Sequence, residues 1–299
     1  MMIKSENNLK INKFSEKRKD NEDVDRKNDE KIQIKINKPV AIICTIEGVL
    51  TSKAYWKEIL APTIRQNAEK CLIFEWNNIE TKDVIKMVYK QLCIERKNKR
   101  SIFERDEISK LINNQNEEDK TIARKIVCNH LFKMMDEKRY TNDIVSLLIL
   151  IWFYCYRKDK LLTHIYKDVN RMLEIWHGAN IKILTFAKAK RLVQEMLLAF
   201  SIYPNVHGYI SDFISCQLLG SGLTKTSSYK KIANHLETET SQIVFFSDNP
   251  IELRAARKAG CQTILVLRRH NKMLLNTKIC EKYCYIESFE QIELIYDGI

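Results

Sequence analysis

AIICTIEGVLTS, residues 41–52, opens with four apolar or near-apolar residues and passes through an alternating Thr45, Ile46 and Glu47 to Gly48. An uninterrupted apolar run of this length predicts a strand buried on both faces, and glycine is where such a strand turns at little steric cost. Glu47 thereby stands at the carboxyl end of a buried strand, which is where open α/β sheets bind their ligands.

Upstream, residues 1–38 are rich in Lys, Asn, Asp and Glu. A stretch of that composition buries too little apolar surface to offset its ordering entropy, so it is expected to be a disordered polar leader. Downstream, from Lys53 to His177, apolar residues recur at spacings of three and four in SKAYWKEILAPTIRQNAEKCL, VIKMVYKQLCI, TIARKIVCNHLFKMM and DIVSLLILIWFYCY. That period predicts helices throughout, with Pro62 kinking or breaking the first.

After residue 177 the pattern changes to strand and helix in alternation. NIKILT (180–185), a short extended piece at 209–215, QIVFF (242–246) and CQTILVL (261–267) read as strands, with AKAKRLVQEMLLAF, YKKIANHL and IELRAARKAG as the helices between them. Gly260 is placed to end the last of these helices. Strands separated by helices of this length pair in parallel through right-handed crossovers. The predicted fold is therefore a doubly wound, Rossmann-like parallel α/β sheet built from residues 39–52 and 178–299, with an all-helical cap inserted at 53–177.

Composition narrows the function. Fifty Lys and Arg against 38 Asp and Glu give a net charge of +12, which invites a polyanion. The leader holds only three of those charges and the rest are dispersed; the densest cluster, RKNKR at 96–100, reads as a solvated helix end. Nucleic acid is accordingly disfavoured as a partner, and a monomer is expected. No segment has the roughly 20 apolar residues of a membrane span, and the longest apolar run, 144–156, reads as a buried helix. The N-terminus lacks the apolar region of a secretory signal, and nine cysteines lie at irregular spacing without a C-x-x-C pair. Both features point to reduced thiols in the cytoplasm, the nucleus included.

The order of these motifs resembles the haloacid dehalogenase superfamily of phosphotransferases, and within it the enolase-phosphatases (acireductone synthases) of methionine salvage. Their first motif, D-I-E-G-T-T-T, stands here as Thr45-Ile46-Glu47-Gly48-Val49-Leu50-Thr51. The resemblance continues in LAPTIRQNAEKCL (60–72), MMDEKR (134–139), HIYKDV (164–169), WHGANIKILTF (176–186), SYKKIA (228–233), FFSDNPIEL (245–253) and AARKAGCQTILVLR (255–268), and covers about residues 39–290.

What the resemblance implies is an aspartyl nucleophile, a carboxylate two residues on as acid and base, phosphate contacts from a hydroxyl and a lysine, and Mg²⁺. Carried over, Glu47 is the acid/base, Glu47 and Asp248 are the metal positions, and Thr185, Phe186 and Lys225 are the positions at substrate or phosphate. Thr45 stands where the nucleophile should be. Three further departures accompany it. The S-S-G-S motif reads Thr185-Phe186-Ala187-Lys188, and the family lysine falls near Leu223, so that Lys225 serves only if its loop delivers it. The R-P-G-N motif reads Arg268-Arg269-His270-Asn271. The implied ligand is a small phosphorylated metabolite, and the expected function is that of an enolase-phosphatase relative with phosphatase activity reduced or lost. The alternatives are an active Mg²⁺-dependent enzyme on 2,3-diketo-5-methylthiopentyl 1-phosphate, and a basic scaffold that binds without catalysis.

Overall fold

The computed structural model describes residues 33–97, 116–158 and 161–296; the greater part of the expected leader and of the RKNKR cluster lies outside them. The described chain forms two compact units. One contains residues up to Ser52 and from His164 onward, and the other is Lys53–Thr163.

The first unit is built on a six-stranded, wholly parallel sheet. Its strands are β2 (Ala41–Cys44), β3 (Lys182–Ala187), β4 (Asp212–Ser215), β5 (Ile243–Ser247), β6 (Gln262–Val266) and β7 (Tyr285–Ile286), in the spatial order β4-β3-β2-β5-β6-β7. β2 lies between β3 and β5, so the strand order reverses direction there. That reversal is the topological switch point at which such sheets bind ligands.

Successive residues of each strand enter different cores, as the pleat requires. Ile42, Cys44, Ile183, Val244 and Phe246 pack with Val169, Leu173, Trp176 and Phe289. Ala41, Ile43, Leu184, Phe186 and Phe245 pack with Tyr229, Ile232, Leu253 and Ala256. Helices therefore cover both faces: α5 (Lys167–Gly178) supplies Trp176, α7 (Thr226–His235) supplies Tyr229, and α8 (Pro250–Ala259) supplies Leu253. Gly260 ends α8 with φ +106°, and a side chain there would meet the Thr240 hydroxyl at 2.6 Å, so the cap expected at this glycine is both conformational and steric.

Two boundaries differ from the sequence reading. A strand, β1 (Ile34–Asn37), begins inside the supposed leader and pairs in parallel with β8 (Ile292–Ile295). Ile34 and Ile36 alternate with polar residues, and the burial of Ile36 offsets the cost of ordering a strand too short to be evident among its lysines. The helical insert, expected to run to residue 177, gives way to the α/β unit at His164, because the apolar face of α5 (Val169, Met172, Leu173, Trp176) belongs to the sheet's core. Its helical period alone did not distinguish it from the insert.

The second unit consists of helices α1 (Ala61–Glu75), α2 (Ile79–Lys97), α3 (Glu117–Asp136) and α4 (Asn142–Arg157), with a π-helical segment, Trp56–Leu60, leading into α1. The proline at 62 does not break the run. It falls in the first turn of α1, just after the Ala61 amide bonds the Trp56 carbonyl five residues back, so its missing N–H and its ring meet a widened turn. The 144–156 stretch is the expected buried helix, contributing Ile144, Leu147, Ile151, Trp152 and Cys155 to the interior. Among the described residues no helix is long and apolar enough to cross a membrane.

Candidate active site

The switch point places the ends of β2 and β5 side by side. Cys44 is in register with Phe246, and the Thr45 amide donates to the Phe246 carbonyl at 3.1 Å, so Thr45 and Asp248 leave the sheet from adjacent strands. Thr45 is 8% exposed, and its Oγ1 is a buried hydroxyl without a hydrogen-bond partner.

Beyond Thr45 the chain forms a tight, anchored loop. Gly48 adopts φ +82° and donates to the Thr51 carbonyl at 2.8 Å, while the amides of Leu50 and Thr51 return to the Ile46 carbonyl at 3.0 Å. Ile46, Val49 and Leu50 face the core, which leaves Glu47 exposed at the turn. The loop is tied down from two sides. Arg268 Nη2 donates to the Val49 carbonyl at 3.1 Å, and the Tyr166 amide donates to the Leu50 carbonyl at 3.1 Å.

Arg268 is itself nearly buried. Its guanidinium bonds the Glu287 carbonyl and Asp168 and lies 4.1 Å from the centre of the Tyr166 ring. Asn271 braces the same turn: its Oδ1 accepts from the Arg268 amide at 2.7 Å, and its Nδ2 donates to the Val266 carbonyl at 3.1 Å. The turn so fixed carries His270, whose Nε2 lies 2.8 Å from Asp248 Oδ2 and donates to it. Asp248 is almost wholly enclosed.

The start of α8 is equally committed. Asn249 Oδ1 caps the helix by accepting from the Ile251 amide, and Asn249 Nδ2 and Ser247 Oγ both donate to Glu252. Burial pushes the Glu252 carboxyl above its usual 4.5. The two hydrogen bonds oppose this, the charge of Asp248 adds to it, and the charge of Lys188 opposes it. Lys188, the first residue after β3, is thereby within electrostatic reach of the β5–α8 turn.

Of the three expected contacts, Thr185 and Phe186 are turned into the core. Thr185 pairs with Cys44, two residues before the end of β3, and its hydroxyl donates to Gln194 Oε1 at 2.7 Å in a closed network with the carbonyls of Ala189 and Ile214. Phe186 is fully buried against Tyr229. Both are core residues because β3 runs to Ala187, further than the apolar run suggests. Lys225 is the exposed N-cap of α7, and Leu223, near which the resemblance puts the family lysine, is buried in the core. The sequence reading passed over the roles of Lys188 and His270. The single signal for His270 was a side chain where the motif has glycine.

A parallel sheet with this strand order, T-I-E-G after its central strand and S-D-N after the next, defines a haloacid dehalogenase-type fold. No protein-family model matches the chain. Among curated proteins it is 26% identical over 233 residues to enolase-phosphatase E1 of Drosophila melanogaster, covering 78% of this chain and 85% of the relative. It is also 26% identical over 250 residues to enolase-phosphatase E1 of Danio rerio, covering 84% and 93%. The crystal structure of the UTR4 protein of Saccharomyces cerevisiae matches 84% of this chain and 99% of its own with a TM-score of 0.63 at 17% identity, a likeness of fold. At this level of identity over most of its length the chain is a divergent relative of the enolase-phosphatases.

The residues present do not fit the Mg²⁺ that the family resemblance implies. Mg²⁺ takes oxygen ligands in a near-ideal octahedron and is held at such sites through carboxylates. Here Thr45 offers a neutral, buried hydroxyl, Glu47 is exposed on its turn, and the remaining carboxylate, Asp248, already accepts a proton donor from His270.

Proposed function

We propose that this chain binds a small phosphorylated, sugar-like metabolite of the kind handled in methionine salvage and does not hydrolyse it at an enzyme's rate. The observation that carries this reading is Thr45 at the nucleophile position with its hydroxyl unpartnered. A threonine hydroxyl is neutral near pH 7 and attacks phosphorus only when a base removes its proton, and no described side chain hydrogen-bonds to Thr45 Oγ1. Glu47 keeps the position of the acid/base, but an acid/base without a nucleophile to serve supplies only binding and polarity. Losing a nucleophile costs roughly 10⁴-fold or more in rate, with the contribution of binding retained.

The test is a phosphatase assay of the purified protein with Mg²⁺, on 2,3-diketo-5-methylthiopentyl 1-phosphate and on a generic aryl phosphate. The expected result is phosphate release at least about 10⁴-fold below an ordinary enzyme's rate. Turnover in the ordinary range of about 1 s⁻¹ or faster overturns the reading.

A further inference from the structure

His270 has no part in the reading above, yet the fold holds it with care. The ends of its turn, Arg268 and Asn271, are locked to one another and to the end of β6, and the turn directs an imidazole at the carboxylate that follows β5. We infer that His270 is the built-in occupant of the place where a phosphatase of this fold carries its cation, so that the carboxyl edge of this sheet excludes Mg²⁺ by occupation as well as by the absence of an aspartate at position 45. This rests on the assignment of Thr45 and Asp248 to the reaction centre, and its test does not depend on turnover.

The argument is geometric. The side chain of Asp248 is 5% exposed, and an enclosed carboxylate needs a partner: a metal, a cation or a hydrogen-bond donor. His270 Nε2 provides one at 2.8 Å. A Mg²⁺ ion would sit about 2.1 Å from a carboxylate oxygen. On the His270 side of Asp248 the N–H already points into that position, so ring and ion compete for the same space and the same oxygen. A glycine at 270, as the family motif has, leaves that side open. Restoring an aspartate at 45 therefore returns the second carboxylate but does not vacate the site.

The experiment measures Mg²⁺ binding directly, by titration calorimetry on the full chain and by the shift of the thermal unfolding midpoint in MgCl₂. Wild type is expected to show no saturable binding up to about 10 mM, roughly tenfold above the 10⁻⁴–10⁻³ M range of the weakest calcium modules. Thr45→Asp should stay at least about tenfold weaker than Thr45→Asp/His270→Gly, a difference of ~1.4 kcal/mol. The double variant should bind one ion per chain and lose it when Asp248→Asn is added. Where the double variant does not fold, His270→Gly alone decides: it should bind Mg²⁺ more tightly than wild type. Saturable binding by wild type that Asp248→Asn removes overturns the inference. So does a folded double variant that is blind to Mg²⁺, or a Thr45→Asp variant that binds as tightly as the double. Phosphate release by wild type without Mg²⁺ binding would instead overturn the reading of Thr45 and leave this one standing.

Discussion

The loop of residues 46–52 and the centre it surrounds share one edge of one sheet, and they have fared differently. The loop keeps the glycine at positive φ, the buried Ile46, Val49 and Leu50, and a clamp in which Arg268 grips the Val49 carbonyl and Asn271 holds Arg268. The centre keeps Asp248 but has a hydroxyl at 45, an imidazole at 270 and a buried leucine at 223. Groups that hold backbone carbonyls and fill the core are required for the fold to form, whatever the reaction. Groups that touch a substrate are required only by the reaction, and under the function proposed above those are the ones replaced. The difference separates what the fold needs from what the chemistry needed.

The sharpest way to break that comparison is to remove the clamp. Arg268→Ala would leave the little-exposed Asp168 without its cation, although the Phe289 amide still donates to it, and would strip the Val49 and Glu287 carbonyls of their donor. Breaking a buried pair by deleting one partner costs about 3–5 kcal/mol. Urea unfolding should show a loss of that order; a loss under about 1 kcal/mol would mean that the loop stands without its clamp and that the retained motif is not structural.

The sheet was legible in the sequence because its strands are short apolar runs between helices of amphipathic period, and AIIC, QIVFF and CQTILVL all lie within a residue of their observed positions. β1 and β8 were not read, since a four-residue pair at the margin buries only Ile36 and Ile292. The Gly260 cap was legible from residue type alone, and Asp248 only through the family resemblance. Thr185 was not, because whether a hydroxyl at a strand end faces a ligand or Gln194 depends on where the strand ends, here two residues further on, and the apolar pattern leaves that end undefined. His270 was beyond reach for a different reason. Its meaning lies in a hydrogen bond to a residue 22 positions away, and local pattern carries no information about it.

The next test asks whether the centre could be rebuilt. Leu223→Lys places the family's residue type at a position that is 5% exposed and packed in the core, where the leucine carbonyl also accepts from Tyr229 Oη at 2.7 Å. The substitution must bury an ammonium group or move the loop, and a loss of about 2–4 kcal/mol is expected, the range for emptying a buried leucine site. A neutral result would show that the loop already accommodates a lysine and that the replacement is superficial. Gly48→Ala probes the retained side more gently. At φ +82° an alanine is strained, and about 1–2 kcal/mol should be lost, with the local opening visible as faster hydrogen exchange at the Gly48 and Thr51 amides. No change would mean that the turn is not a constraint, and the contrast with the centre would lose one of its supports.

The smallest effect concerns Glu252, which belongs to both regions: it anchors the cap of α8 through Ser247 and Asn249 while standing close enough to Asp248 to feel its charge. Burial raises its carboxyl above 4.5 in the folded chain, and Asp248 adds to that shift. A carboxyl raised in this way binds its proton more tightly folded than unfolded. Its favourable contribution is therefore complete below about 4.5, declines as pH climbs through the raised folded value, and is absent above it. Urea midpoints followed from pH 4 to pH 8 should carry this decline, and Glu252→Gln should flatten it, because the amide cannot ionise. If the slope of Glu252→Gln equals that of wild type, the carboxyl titrates alike in the folded and unfolded chain, its burial offset by the hydrogen bonds of Ser247 and Asn249 and the charge of Lys188. The centre would then be a compensated charge cluster, held by its own side chains, that folds without an added cation.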